Sequence, residues 1–301
     1  MKLRYTSQGD GPLVVFCHGF PELSYSWRHQ LPAVAAAGYR AVAPDQRGYG
    51  LSPIPSAIED YDIVQLTDDL LELLDDLGEE RAAFVGHDWG SLVVWSLALR
   101  APERVAGVAA LSVLFQRRGQ MSPLAAIRKA FPWFYMLYFQ EPGVADADLG
   151  RDPATTLRRM MGSLTSGDPT ALVGEDDGRG FVERLPEPGG LPGWLTQDDL
   201  DHYVEAFTRT GFTGGINWYR NIDRNWDLMA DYDGARITVP ALFIGGTADP
   251  TLRTERVAKL AEWVPDLRGA VLLEGAGHWI QQERPDEVNA ALLTFLKDIS
   301  W

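Results

Sequence analysis

Short apolar runs alternate with helical spacings through the first third of the chain. Leu13–Cys17 (LVVFC) has the continuous apolar pattern of a buried strand, and residues 39–43 form a second such run that ends at Pro44. Ile63, Leu66, Leu70, Leu73, Leu74 and Leu77 recur at helical spacing, with Gly78 placed to cap the C-terminus. Residues 81–85 predict a third strand and residues 91–99 a helix that stops near Pro102. Residues 105–114 predict a further strand. Alternation of this kind predicts an α/β fold, a mostly parallel sheet with helices on both faces.

The pattern then changes. Between residues 115 and 232 aromatics are dense and the spacing is punctuated by Pro and Gly. The stretch 162–194 (with GEDDGRG and LPEPGGLPG) reads as a long loop. After Pro240 the strand-helix rhythm returns, with strands expected at 241–245 and 270–273 and helices at 253–264 and 285–299. The simplest organisation is a core made of residues 1–114 and 233–301, split by a mainly helical insertion over 115–232.

Composition narrows the function classes. The 301 residues are 46% hydrophobic, enough for a sizeable core, and carry a formal net charge of −15. That charge argues against nucleic acid or an anionic membrane as partner, and otherwise serves solubility. Cys17 is the single cysteine, so no disulfide framework forms within the chain, which suits a reducing cytoplasm. Residues 1–10 lack the apolar core of a signal peptide, and no apolar run approaches the roughly 18 residues that span a bilayer. Nothing in the pattern excludes a homodimer.

The chemistry gathers at strand ends. Gly86-x-Asp88-x-Gly90 lies between an expected strand and an expected helix. So tight a turn holds its central residue in a strained conformation, and small flanking residues prevent clashes. The helix that follows directs its first amides at the site. Serine usually occupies the centre; here Asp88 does. A carboxylate attacks sp³ carbon by displacement and forms an alkyl ester, which water must then cleave at the Asp88 carbonyl carbon. Asp88 as a plain helix N-cap is the blander reading. His18-Gly19-Phe20-Pro21 follows the first buried strand and can turn the Phe20 amide toward the nucleophile. With the Trp89 amide it would form an oxyanion hole, and a cis Phe20–Pro21 bond is compatible with this turn. Asp249 and His278 each follow a later strand, so the order Asp88, Asp249, His278 is nucleophile, acid, base. His278 would take a proton from water, with Asp249 setting its tautomer. His29 and His202 read as structural, and His18 and His87 as parts of loop architecture. No cluster has metal-ligand spacing, so neither metal nor cofactor is expected.

Together these residues resemble the epoxide hydrolases of the α/β-hydrolase fold, most closely the soluble ones. The matching motifs are HGFP (18–21), DQRGYGLS (45–52), GHDWG (86–90), the acid at 249 and GHW (277–279). Two segments of the insertion match as well, FYMLYFQEPGVADADL (134–149) and GFTGGINWYRN (211–221). The resemblance implies an α/β-hydrolase core with a helical cap and no cofactor. Its substrate would be a small lipophilic epoxide, opened to a diol with water. It also implies two cap tyrosines that hold the epoxide oxygen, Tyr219 and Tyr135, with Tyr138 as a competing assignment for the first. A phenol with an ordinary pKa of about 10 is a sensible donor to a developing alkoxide. The substrate pocket is expected at His18, Pro21, Met136, Phe139 and Trp279. Met136 departs from the polar residue the resemblance leads one to expect, which bears on pocket polarity rather than mechanism. The aromatic residues Trp133, Phe134, Phe139 and Trp218 suit a lipophilic substrate, and equally a packed core.

Two other readings use the same elbow. Haloalkane and haloacid dehalogenases share the Asp nucleophile. The first usually have Asn or Glu where Phe20 stands and lack the paired tyrosines. The fluoroacetate-specific ones prefer Arg in place of Trp89. A catalytically silent ligand-binding relative would lack part of the triad, which is complete here. A serine esterase is excluded by Asp88.

Overall fold

The computed structural model describes residues 2–165 and 169–301. Its centre is a seven-stranded sheet of β1 (Tyr5–Gln8), β2 (Leu13–Cys17), β3 (Arg40–Pro44), β4 (Ala82–His87), β5 (Val105–Leu111), β8 (Ala241–Gly246) and β9 (Leu267–Leu273). They lie side by side in the order β1-β3-β2-β4-β5-β8-β9. Every pairing is parallel except that of β1 with β3. Strands β2, β4, β5 and β8 are buried along their whole length, as their unbroken apolar runs require of strands covered on both faces. At the two edges the pattern relaxes. β9 alternates in exposure, and β1 is polar and exposed throughout. The polar tetrapeptide Tyr5–Gln8 has no strand signature. It is ordered by antiparallel pairing along β3, a long-range contact that local sequence does not encode.

Helices α1 (Gln30–Ala36), α2 (Ile63–Leu77) and α3 (Trp89–Arg100) cover the sheet in the first half, and α12 (Ile280–Glu283) and α13 (Pro285–Asp298) in the last. α2 starts where the Asp62 carboxylate accepts from the Gln65 amide at 3.0 Å and stops at Gly78 in the left-handed region, as its spacing predicts. The segment expected as a helix at 253–264 is instead a 3₁₀ run, Thr254–Glu262. Its buried residues Val257 and Leu260 are three apart, the repeat a three-residue turn presents to one side.

The chain leaves the sheet after β5 and returns at β8, the neighbouring strand, with Val108 beside Ala241. The intervening segment is mainly helical: α4 (Pro123–Ala130), α5 (Tyr135–Tyr138), α6 (Val144–Gly150), α7 (Pro153–Ser163), α8 (Phe181–Arg184), α9 (Gln197–Thr210), α10 (Thr213–Arg220) and α11 (Ile222–Leu228). A two-residue strand pair, β6 (Trp133–Phe134) with β7 (Val173–Gly174), accompanies them. The stretch 162–194 is therefore not one loop; its residues 166–168 lie outside the described ones. β7 pairs with β6, and Phe181 of α8 is buried against Tyr135 and Phe139 at ring distances of 6.0 and 5.2 Å. A Gly- and acid-rich composition conceals a single anchoring phenylalanine of this kind.

This segment is stitched to the sheet loops. The Trp218 indole donates to the Arg47 carbonyl at 3.1 Å, the Arg224 guanidinium pairs with Asp62 at 3.0 Å, and the Trp279 indole donates to the Met161 carbonyl at 3.1 Å. Arg47 is itself held by two 2.7 Å hydrogen bonds to the buried Asp69, so the DQRGYGLS loop is a rigid seat for α10.

Candidate active site

Asp88 sits between β4 and α3 with φ 52° and ψ −119°, a strained backbone for a residue with a side chain. Its neighbours explain how the strain is sustained. A Cβ on Gly90 would lie 1.9 Å from the Cys17 carbonyl oxygen, and one on Gly86 would lie 2.3 Å from the Gly90 carbonyl oxygen. Only glycine lets β2, β4 and α3 approach so closely. Asp88 makes no side-chain cap to α3, which removes the N-cap reading.

One carboxylate oxygen, Oδ1, accepts the Phe20 amide at 2.9 Å. The Phe20–Pro21 bond is cis, and Pro21 is buried. The Trp89 amide is the first of α3, next in sequence to Asp88. The other oxygen, Oδ2, lies 3.6 Å from His278 Nε2, and His278 Nδ1 meets Asp249 Oδ2 at 2.9 Å. Thr251 supplies both its amide and its hydroxyl to Asp249 Oδ1, at 2.8 and 2.7 Å. Burial disfavours a charged His278, but the Asp249 and Asp88 carboxylates outweigh it and hold the imidazole well above its ordinary pKa. Asp249 is pushed downward in turn: burial opposes, and His278 and Thr251 prevail.

Across from Asp88 stand residues of the helical segment. The rings of Tyr135 and Tyr219 meet edge to face at 5.8 Å, and Tyr219 packs on Phe20 at 5.4 Å and on Trp89 at 5.0 Å. Burial pushes both phenols upward, reinforced by Asp88 at Tyr135 and by Tyr135 and then Asp88 at Tyr219, so they remain protonated. Tyr138 is turned elsewhere. Its hydroxyl donates to Asp148 at 3.2 Å, and burial with that carboxylate pushes it up to about 12. Met136 is partly exposed and Phe139 fully buried, its ring 5.1 Å from Tyr219.

Two residues expected around the substrate, His18 and Trp279, are fully buried and hydrogen-bonded to backbone. His18 is fully buried, its Nε2 accepting the Gln46 amide at 3.0 Å. Trp279 is fully buried against His278 and tied to α7. His202 stacks on Tyr25 at 4.0 Å, in keeping with a structural role.

Sequence reasoning passed over three polar residues. Thr251 is one. Glu22, directly after HGFP, is fully buried at the centre of a hub. It accepts His87 Nδ1 at 2.6 Å, the Gly19 amide at 3.0 Å, and the side-chain amides of Gln281 and Gln282 at 2.8 and 3.1 Å. Burial pushes its carboxyl upward, but His87 and the Gly19 amide prevail and hold it at about 2. The third is Glu283, on α12. The only signal for Glu22 and Glu283 is a lone acid closing an otherwise uncharged or aromatic turn segment, HGFPE and GHWIQQE, and it is a weak one. Among the described residues no group of histidine, cysteine and acid side chains could hold a metal ion.

The α/β-hydrolase fold family model matches residues 12–285. Epoxide hydrolase A of Mycobacterium tuberculosis is 57% identical, over 98% of this chain and 94% of that protein. The chain belongs to the epoxide hydrolases of the α/β-hydrolase fold. A crystal structure of epoxide hydrolase A from Mycobacterium thermoresistibile is 58% identical and superposes with a TM-score of 0.95, covering 99% of this chain and 95% of that one. The bifunctional epoxide hydrolase 2 of Rattus norvegicus is 38% identical over 99% of this chain, which spans 54% of that longer protein.

Proposed function

We propose that the protein hydrolyses small lipophilic epoxides to vicinal diols through an alkyl ester on Asp88, beneath a helical cap formed by residues 115–232. The observation that carries this reading is the pair Tyr135 and Tyr219, held protonated opposite a carboxylate nucleophile. Asp88 Oδ2 attacks an epoxide carbon and the C–O bond breaks. The departing oxygen takes a hydrogen bond from both phenols and a proton from one, because an alkoxide is a stronger base than a phenolate. Oδ1, kept by the Phe20 amide, becomes the carbonyl oxygen of the ester.

His278 acts next. While Asp88 is a carboxylate, the imidazole is stabilised as a cation between two anions. Esterification removes one of those charges, so the same step that makes the ester also lowers the proton affinity of His278 and frees it as a base. The proton it sheds returns through solvent to the phenolate left by the first step, and the neutral imidazole then takes a proton from water, which attacks the Asp88 carbonyl carbon. The amides of Phe20 and Trp89 hold the oxyanion, and as it collapses the departing diol oxygen takes the proton of the newly formed Asp88 carboxyl, which restores the carboxylate beside the imidazolium.

A halide-binding role is disfavoured by the position of Phe20, whose side chain is an apolar ring packed on Tyr219. The single fully buried cysteine, Cys17, suits a cytoplasmic enzyme, and no helix of the described residues is long and apolar enough to cross a membrane. Every group invoked comes from one chain, so monomer and homodimer serve the chemistry equally.

One turnover in ¹⁸O-water tests the reading. Label should enter the Asp88 carboxylate and be absent from the first diol. Label in that first diol, or halide release from 1-bromobutane with no diol from styrene oxide, overturns it.

A further inference from the structure

The amides of Gly277, His278 and Trp279 and the carbonyl of His278 are all hydrogen-bonded. Its own amide donates to the Leu164 carbonyl at 3.1 Å, and its carbonyl accepts the Ser112 hydroxyl at 3.0 Å and His87 Nε2 at 2.8 Å. The two flanking amides go to a single side chain. Gly277 donates to Glu283 Oε2 at 2.8 Å and Trp279 to Glu283 Oε1 at 2.9 Å. Glu283 thus closes a carboxylate clamp across the residue that carries the base, from one turn of helix beyond it. The clamp is tight: a Cβ on Gly277 would lie 2.8 Å from Glu283 Oε1 and 2.6 Å from the Thr165 Cα.

We propose that Glu283 is a positioning residue for the hydrolytic half of the reaction, fixing the His278 peptide so that Nε2 is aimed at the water that cleaves the ester. The inference rests on the two-step reading above. Its physical basis is that a carboxylate is an acceptor on both oxygens, so it can satisfy two converging amides at once with charge-assisted bonds. An amide side chain cannot. Gln at this position would accept one N–H and turn its own NH₂ against the other, so one of the two peptides must rotate. Alkylation of Asp88 does not draw on His278 as a base, so only the second step should feel the change.

The experiment is rapid-quench analysis of wild-type protein, E283Q and E283A with styrene oxide, separating covalent ester from diol. E283Q should slow ester hydrolysis about tenfold and E283A about 100-fold, the scale of losing one or two hydrogen bonds to a charged group, with the rate of ester formation unchanged. In steady state kcat and KM should then fall together and kcat/KM stay level, a split that a general loss of folded protein does not produce. E283Q is the isosteric variant, so it keeps the test open if E283A fails to fold. Equal slowing of both steps in E283Q, or hydrolysis at the wild-type rate, overturns the role of Glu283. Absence of any ester in the wild-type protein overturns the two-step reading itself, so the two failures are distinguishable.

Discussion

His278 Nε2 lies 3.6 Å from Asp88 Oδ2, an ion-pair separation longer than a hydrogen bond. The two side chains are thus electrostatic partners in the resting protein, and the Asp88 carboxylate helps to keep the imidazole charged.

That relationship sets a pH dependence. His278 is raised in the folded protein relative to an unfolded value near 6.5. Its contribution to stability is therefore complete below about pH 6.5 and is lost as pH rises through the higher folded value. Asp249 is depressed, so its contribution is present above its unfolded value of about 3.9 and is lost at lower pH. The stability gap between wild type and H278Q should be largest between about pH 4 and 6.5 and shrink on the alkaline side. Urea unfolding across pH measures it; a gap that widens above pH 7 contradicts the charge assignment.

The same coupling has a kinetic consequence. Ester hydrolysis should depend on a group whose pKa lies below that of His278 in the resting protein, because the ester carries no charge to support the cation. H278Q should still form the ester and accumulate it. Comparison of the single-turnover pH profile with an NMR titration of His278 decides the first point, and intact-protein mass the second.

Removing the phenol hydroxyls should slow ester formation selectively. Y219F and Y135F keep the ring packing and should each lower the alkylation rate by about 10²-fold or more, the scale of a lost general acid. Y138F, whose hydroxyl serves Asp148, should leave alkylation near wild type. Rapid quench distinguishes them, and a Y138F defect matching that of Y135F would reverse the assignment.

Glu22 should be a major determinant of stability. E22A removes the acceptor shared by His87, Gly19, Gln281 and Gln282, all buried or part-buried, and should cost about 3–5 kcal/mol. Its depressed carboxyl gives stability that is present above an unfolded value of about 4.3 and lost as pH falls toward 2. Chemical denaturation at pH 7 and pH 3 should show the difference narrowing in acid.

The elbow itself admits no side chain on its glycines. G90A places a methyl 1.9 Å from the Cys17 carbonyl oxygen, and β2 and α3 must separate to accept it. A loss of about 4 kcal/mol or more is expected, near the limit for single substitutions. A thermal melt within a few degrees of wild type would show that the packing yields.

Much of this was legible along the chain. The apolar runs that form β2, β4, β5 and β8 are local patterns, and burial on both faces leaves a strand no other composition. The elbow is equally local, since a residue at positive φ between two crowded backbones leaves room only for glycine on either side. Asp88, Asp249 and His278 follow because functional loops leave strand ends in a fixed order. What stayed hidden depended on partners far away in sequence. β1 exists by pairing with β3, and Phe181 in a Gly-rich stretch is anchored by aromatics of α5.

The division runs through the site in the same way. Sequence alone determined which carboxylate occupies the strand-to-helix turn, in what order Asp88, Asp249 and His278 follow their strands and where the sheet is interrupted, because each depends on residues a few positions apart. Tertiary structure alone decided that the Tyr135 ring packs against Tyr219 while Tyr138 turns to Asp148, because a single turn of helix has too few residues for periodicity to orient it and the neighbouring helices settle the matter. It also decided that His18 and Trp279 are fully buried, and that Glu22 bonds His87, Thr251 bonds Asp249 and Glu283 bonds the amides on either side of His278. A buried carboxylate is recognisable only by the amides and imidazoles that converge on it, and those come from opposite ends of the chain.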